Sequence, residues 1–158
     1  YVLRSSNNGP FGTIAIPITN SYNDTSLTAG TTYVYYVRAA DDANIGPPSN
    51  KDLATTILFT DDPVFTNDTI VRAVHITELR TAVNAVRAAA GLSSAIFTDT
   101  IAAGGIMKAL HITELRSNLD EVRAAIGVPA ISYTDSSIAA GVTIIKAAHI
   151  RELRSGVK

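Results

Sequence analysis

The sequence predicts an α+β chain in two parts: a partial β-sandwich over residues 1–57 and an α-helical repeat array over residues 58–158. The first part consists of short runs rich in Val, Ile, Thr and Tyr, separated by turn-forming residues, which is typical of antiparallel strands. The second part contains the hexapeptide HITELR at 75–80 and 111–116 and the variant HIRELR at 149–154. Recurrence at a fixed period indicates one helical unit in three copies.

The composition limits the class of protein. The chain has 158 residues, a formal net charge of −1, 17% charged residues and 46% hydrophobic residues. A near-neutral chain lacks the basic excess typical of nucleic-acid-binding proteins, and its hydrophobic content argues against disorder. No apolar run reaches the roughly 20 residues that a membrane helix needs, and cysteine is absent. We therefore expect no nucleic-acid partner, no membrane insertion and no thiolate metal site.

The strand-rich part carries one specific motif. In the stretch LTAGTTYVYYVRAADDANIGPPS, Leu27, Gly30 and Tyr33 have the spacing Leu-x-x-Gly-x-x-Tyr. This stretch resembles the second half of a fibronectin type III domain, and YVLRSSNNG resembles strand C of that family. The resemblance implies that the phenol of Tyr33 is tied to backbone just upstream of its strand. The alternation of side chains predicts that Tyr33, Tyr35 and Val37 share the core face.

The same resemblance exposes a gap before Tyr1, where the first two strands of the sandwich have no counterpart. A sandwich of this kind has about 100 residues. Without those strands, one sheet edge and one core face stay open. Either the natural chain extends further, in keeping with a first residue that is not Met, or another subunit supplies the strands by strand addition. The second alternative makes the protein a polymer.

The helical part divides into three segments, here called the first (58–96), second (97–132) and third (133–158). Each opens with an aromatic-Thr-Asp triplet, in which we expect the ring to be buried and the Asp to close a turn. The triplets begin at Phe59, Phe97 and Tyr133. Apolar residues at helical spacing follow each motif, and Gly91 and Gly127 predict Schellman ends for the first two helices.

The motif supplies nine candidate site residues: His75, Glu78, Arg80, His111, Glu114, Arg116, His149, Glu152 and Arg154. We expect each histidine at the N-cap, so that the glutamate falls at N3 and reaches back as in a capping box. Val74 and Leu110 then act as hydrophobic staples. In the alternative, the helices start three or four residues earlier, near Arg72, Lys108 and Ile145, and His and Glu form an i, i+3 pair on one face.

Two kinds of chemistry are weighed for the His/Glu pairs. A His-x-x-Glu pair can give two metal ligands from one helical turn. However, three successive helices tend to hold the pairs apart, and no further His or Cys completes a shell. General acid–base catalysis needs additional polar groups in a pocket. We therefore predict no metal, no cofactor and no enzymatic activity, and we expect buried histidines that are hydrogen-bonded between repeats.

The basic residues of the segments recur in three columns: Arg80, Arg116 and Arg154; Arg87 and Arg123; and Arg72, Lys108 and Lys146. Aligned on a surface, such columns form basic stripes able to hold an anionic polymer. Asp61, Asp99 and Asp135 supply a matching acidic column. We expect Arg–Asp pairing between neighbouring repeats in preference to ligand binding.

The repeat resembles modules of secreted bacterial proteins that often stand beside fibronectin type III domains. It is more distantly similar to S-layer homology repeats, from which it departs by its shorter period and its lack of tryptophan. We predict a non-catalytic extracellular or cell-surface module for structure, adhesion or assembly, with other protein subunits as partners in a homo-oligomer, polymer or filament. One alternative is an envelope-anchoring or carbohydrate-binding segment of a larger secreted enzyme, with cell-surface polysaccharide as partner. Another is a metal-dependent enzyme that uses the His/Glu pairs. Sequons at Asn23 and Asn67 matter only if the host glycosylates the chain.

Overall fold

The computed structural model describes residues 1–41, 43–65 and 70–158, so the sequon at Asn67 lies outside the described residues. The chain is mixed α+β, as predicted, with an open antiparallel sheet of five strands and three helices. The strands are β1 (Val2–Ser6), β2 (Gly12–Ala15), β3 (Thr32–Ala40), β4 (Ile45–Pro48) and β5 (Asp52–Thr55). The helices are α1 (Ala73–Ala89), α2 (Ala109–Ile126) and α3 (Ala147–Gly156).

Strand β3 lies at the centre of the sheet. The strand order is β2-β1-β3-β4, and β5 also pairs with β3. Strand β1 pairs with β3 from Val2↔Val37 to Ser6↔Tyr33. Strand β5 pairs with the beginning of β3 and β4 with its end. Because β3 is rich in β-branched and aromatic residues, it suits this central position.

The turn before β3 is fixed by a tyrosine. The Oη atom of Tyr33 accepts a hydrogen bond of 2.8 Å from the backbone N–H of Thr28, which lowers the pKa of the Tyr33 phenol. Gly30, with φ of 71°, allows the intervening turn to adopt a left-handed conformation. This is the hydrogen bond that the fibronectin type III resemblance implies for Tyr33. The assignment to that family stays a prediction.

The alternation predicted for β3 is only partly correct. Tyr33 is buried, but Val37 is 49% exposed, whereas Val34 on the opposite face is 4% exposed. Val34 is buried because β3 and β5 contact α1 on that face, where Val34 joins Leu53 in the hydrophobic core. The start of β3 is therefore covered on both faces, and the end of the strand is not.

The hydrophobic core is continuous from the sheet into the helices. The isoleucine and the leucine of the HIxELR motif are fully buried in all three segments. These six residues are Ile76, Leu79, Ile112, Leu115, Ile150 and Leu153. The apolar half of the motif thus directs each helix toward one shared core, and burial of these side chains is a main source of its stability.

The ends of the first two helices confirm the glycine prediction. The N–H of Leu92 donates to the carbonyl of Arg87 at 2.9 Å, and the N–H of Val128 donates to that of Arg123 at 3.1 Å. Gly91 and Gly127 have φ of 72° and 81°. This combination is the Schellman motif.

The expected helix starts are wrong, and the alternative comes close to what is observed. The N-cap residues are Arg72, Lys108 and Lys146, with extended backbone, so each motif histidine lies at N3 and each glutamate three residues later. The predicted glutamate caps are absent, because each motif glutamate lies in the second turn of its helix. The predicted staples are absent too, because Val74 and Leu110 lie inside α1 and α2 and not before them.

Candidate functional site

The motif histidines (His75, His111 and His149) complete the helix starts. In every segment the backbone N–H of the N-cap residue donates to Nδ1 of the histidine at 3.2 Å. A histidine here takes the part that Glu or Gln takes at N3 of a capping box. The three rings are 0–2% exposed. Because Nδ1 accepts, each neutral ring carries its hydrogen on Nε2.

The other ring nitrogen faces the aspartate of the histidine's own segment. His75 Nε2 lies 3.0 Å from Asp61 Oδ2, and His149 Nε2 lies 2.7 Å from Asp135 Oδ2. The histidines are therefore buried as expected, but their partners lie within one segment and not between segments. The distance is short because the aromatic-Thr-Asp turn folds back over the start of its own helix.

Each of these aspartates also binds the basic side chain at the N-cap. The pairs are Arg72–Asp61, Lys108–Asp99 and Lys146–Asp135. Hydrogen bonds from the cations, followed in the first and third segments by those from histidine, lower the pKa values of Asp61 and Asp135. The pKa of Asp99 is lowered chiefly by Lys108. These carboxylates are thus held in the charged form.

The motif glutamates (Glu78, Glu114 and Glu152) hold the threonine of the same turn. Both the N–H and the hydroxyl of Thr60 donate to Glu78, and Thr98 and Thr134 bond their glutamates in the same way. The backbone distances for Thr98 and Thr134 are 3.0 and 2.8 Å. The sequence reading missed these threonines as partners, although Thr occupies the same place in all three triplets.

The motif arginines (Arg80, Arg116 and Arg154) join one segment to another. Arg80 donates to the backbone carbonyl of Asp99 at 2.6 Å, and its guanidinium lies 4.5 Å from the centre of the Phe97 ring. Arg116 contacts Asp135 and Tyr133 in the same way. The predicted pairing between neighbours thus exists, but through backbone carbonyls and aromatic rings and not through the aspartate carboxylates. The rings themselves are half-buried.

The third segment contacts the first and closes a cycle. Arg154 donates to the carbonyls of Thr60 and Asp61 at 2.7 and 2.9 Å, and its guanidinium lies 4.7 Å from the centre of the Phe59 ring. Each motif arginine therefore binds the turn of the next segment, in the order first, second, third, first. An open stack leaves its last arginine without a following turn, so the observed arrangement differs from the expected array.

The second column of arginines repeats the same direction of contact. Arg87 donates to Glu121 in the next helix, and Arg123 donates to the carbonyl of Gly156 at 2.6 Å. In the motif column, Arg116 Nη2 lies 3.3 Å from Glu152 Oε2. A contact that comes later along one helix therefore meets a later position on the next helix. The three helices α1, α2 and α3 thus point in the same direction.

This arrangement leaves little capacity for chemistry at the motif. Both ring nitrogens of His75 and His149 are engaged, and each motif glutamate accepts at least two hydrogen bonds. Within the described residues, no group of three or more His, Asp or Glu side chains is placed to hold a metal ion. The arginines are directed into junctions and not toward solvent, since Arg116 and Arg154 are 6% and 2% exposed.

A different kind of surface lies on the sheet. An open groove of about 520 Å³ runs between the first residues of β1, the end of β3 and residues 16–22. Its walls include Val2, Ile16, Tyr22 and Val37. Ile16 and Tyr22 are 64% and 46% exposed. No residue of the HIxELR motif lines this groove.

No protein-family model, no curated protein and no solved structure matches this chain. None of the helices in the described parts of the chain is both long and apolar enough to cross a membrane.

Proposed function

We propose that the chain is a non-catalytic structural module of a secreted or cell-surface protein, and that it assembles with other subunits through protein–protein contacts. The observation that supports this most is the use of the motif. Its histidines, glutamates and arginines bind helix starts, turns and neighbouring segments. Residues that look reactive in the sequence thus serve to hold a rigid helical unit together.

The finer architecture is part of the same proposal. The sheet corresponds to the second half of a fibronectin type III-like sandwich, supported by the hydrogen bond from Thr28 to Tyr33. The three segments are copies of one repeat, supported by the recurrence of the histidine, glutamate and arginine contacts in each. They form a closed cycle in place of an open array.

The groove on the sheet is the proposed contact surface. Residues 16–31 form neither helix nor strand in the described chain. Ile16 and Ile18 in this segment are strongly exposed. Residues 16–22 lie outside the strand pairings and flank an apolar groove. Strand addition needs unpaired backbone groups beside pockets for apolar side chains. A sugar polymer offers no comparable row of backbone groups.

The occupant is the same segment of a second copy. Two copies of residues 16–22 placed antiparallel give a two-fold contact in which each copy supplies the strand that the other lacks. Burial of the isoleucines and of Tyr22 drives the association. The protein is then a homo-oligomer.

Sedimentation velocity and light scattering test this contact. We expect particles larger than a monomer, and we expect Val37→Asp to shift them toward the monomer because a charge then lies in the groove. Val142→Asp is the matched control, since Val142 is an exposed valine in the connection before α3. A monomeric wild type at every concentration, or equal effects of the two variants, contradicts the proposal.

The two alternative functions receive less support. Binding of an anionic wall polymer through Arg80, Arg116 and Arg154 requires these side chains to leave their carbonyl and aromatic partners. A metal-dependent reaction requires the histidines to leave their caps.

A further inference from the structure

The three motif histidines are equivalent in position but not in surroundings. His111 Nε2 lies 3.7 Å from Asp99 Oδ2, whereas the corresponding distances for His75 and His149 are 3.0 and 2.7 Å. His111 Nε2 has no hydrogen-bond partner among the described residues, although the ring is only 2% exposed. The cap contact at Nδ1 is therefore the shortest polar contact of the His111 ring.

The ion pair between the motif arginine and the motif glutamate is longest at the junction between the first and second segments. Arg80 Nη2 lies 3.9 Å from Glu114 Oε2, compared with 3.3 and 3.6 Å for the equivalent pairs in the other junctions. Within the described residues, Nη2 of Arg80 and Oε2 of Glu114 are buried without a hydrogen-bond partner, whereas the equivalent atoms of the other two junctions are not among such atoms. These atoms and His111 Nε2 belong to one junction.

Four charged groups face His111. Arg80 approaches from α1, Asp99 from the turn, and Lys108 and Glu114 from its own helix. Burial of the ring is the largest influence and lowers the pKa of His111; Arg80 lowers it further, while Asp99 opposes the shift. The surroundings therefore favour the neutral ring.

Protonation of His111 is incompatible with its cap. The neutral ring carries its hydrogen on Nε2, so an added proton has to go to Nδ1. Nδ1 then cannot accept the N–H of Lys108, which lies 3.2 Å away. The new positive charge also lies in the first turn of α2, where the helix dipole disfavours it.

We propose that the cyclic helical unit is an acid-sensitive device, in which protonation of His111 releases the start of α2 and opens the junction between the first and second segments. The other two junctions hold, because Asp61 and Asp135 are within hydrogen-bond distance of His75 and His149 and tie the starts of α1 and α3 to their own turns. The chain thus opens at one defined junction.

The sign of the pH dependence follows from linkage. The folded-state pKa of His111 is below the unfolded value of about 6.5, so between the two values the unfolded chain binds more protons. The stability linked to neutral His111 is fully present above about pH 6.5 and is lost as the pH falls below this value. The lowered pKa values of the three aspartates act in a separate window, with stability lost below about pH 4.

The test compares three histidine-to-glutamine variants by urea unfolding at pH 7.5 and 5.0. Glutamine at N3 keeps an acceptor for the N-cap N–H but does not titrate. We expect the folding equilibrium constant of the wild type to fall severalfold from pH 7.5 to 5.0, because the unfolded chain binds the His111 proton more strongly than the folded chain does. His111→Gln removes most of this loss, whereas His75→Gln and His149→Gln retain it. An equal loss in the wild type and His111→Gln overturns the proposal.

A second measurement needs no variant. Hydrogen exchange of the wild type gives protection factors for the N-cap amides, all of which donate to a histidine. Between pH 7.5 and 5.0 we expect protection at Lys108 to fall by more than at Arg72 and Lys146. Equal changes at the three amides, or no change at Lys108, overturn the proposal even if His111→Gln does not fold.

Discussion

A single glutamate shows how much of the helical unit depends on one side chain. Glu114 accepts the N–H and the hydroxyl of Thr98 and is nearly buried. We expect Glu114→Ala to lower the free energy of unfolding by about 1–3 kcal/mol, since hydrogen bonds to a charged acceptor are lost and their donors are left in a partly buried site. Urea unfolding at pH 7.5 measures this loss.

A double-mutant cycle with Thr98→Ala identifies the cause. If the hydroxyl bond contributes, the two substitutions together cost less than the sum of their separate effects. Strict additivity means that Glu114 acts through another contact, such as its approach to Arg80.

At the residue scale, the spacing of the motif does not identify the partners of its side chains. The repeated glutamate was assigned to a cap, a local role that spacing alone suggests. Its observed partner, Thr60 in the case of Glu78, lies 18 residues earlier in the chain. Spacing within the motif carries no information about a turn that folds back from that distance.

At the scale of one helix, the ends were predictable and the starts were not. Gly91 and Gly127 identify the ends because the left-handed conformation there is a local requirement. The starts carry Arg72, Lys108 and Lys146, which are not among the preferred N-cap residues. Their side chains instead bind the aspartates. Because a tertiary contact accounts for these residues, the usual N-cap preferences do not identify the helix starts.

The two helix-end glycines permit a matched comparison. Gly127→Ala should cost about 1 kcal/mol, the strain of a left-handed alanine, because a Cβ there meets nothing within 4 Å. Gly91→Ala adds a clash, since its Cβ would lie 2.3 Å from Asn8 Nδ2 in the β1–β2 turn. We expect it to cost about 1–3 kcal/mol more. If Gly91→Ala and Gly127→Ala lower the free energy of unfolding equally, the β1–β2 turn shifts without a measurable cost.

Across the whole molecule, the contact between the third and first segments distinguishes a cycle from a stack. We expect Arg154→Ala to cost about 3 kcal/mol, because the carbonyls of Thr60 and Asp61 lose a charged donor in a buried site. Arg116→Ala should cost a similar amount. Arg151→Ala, which removes one bond of 3.3 Å to the carbonyl of Val64, is the control and should cost less than about 1 kcal/mol.

In an open stack the last arginine has no partner, so Arg154→Ala would then resemble Arg151→Ala in chemical denaturation. Closure itself was not predictable from the sequence. The three segments share one type of junction, but whether the third segment reaches the first depends on the rotation between successive segments, which the spacing of the motif does not encode.

The closed cycle also fixes how many copies can work together. Each of the three aromatic-Thr-Asp turns already receives one motif arginine. A fourth segment inserted into the cycle would therefore widen it and draw the shared core apart. The core that the three helices share is thus matched in size to three segments.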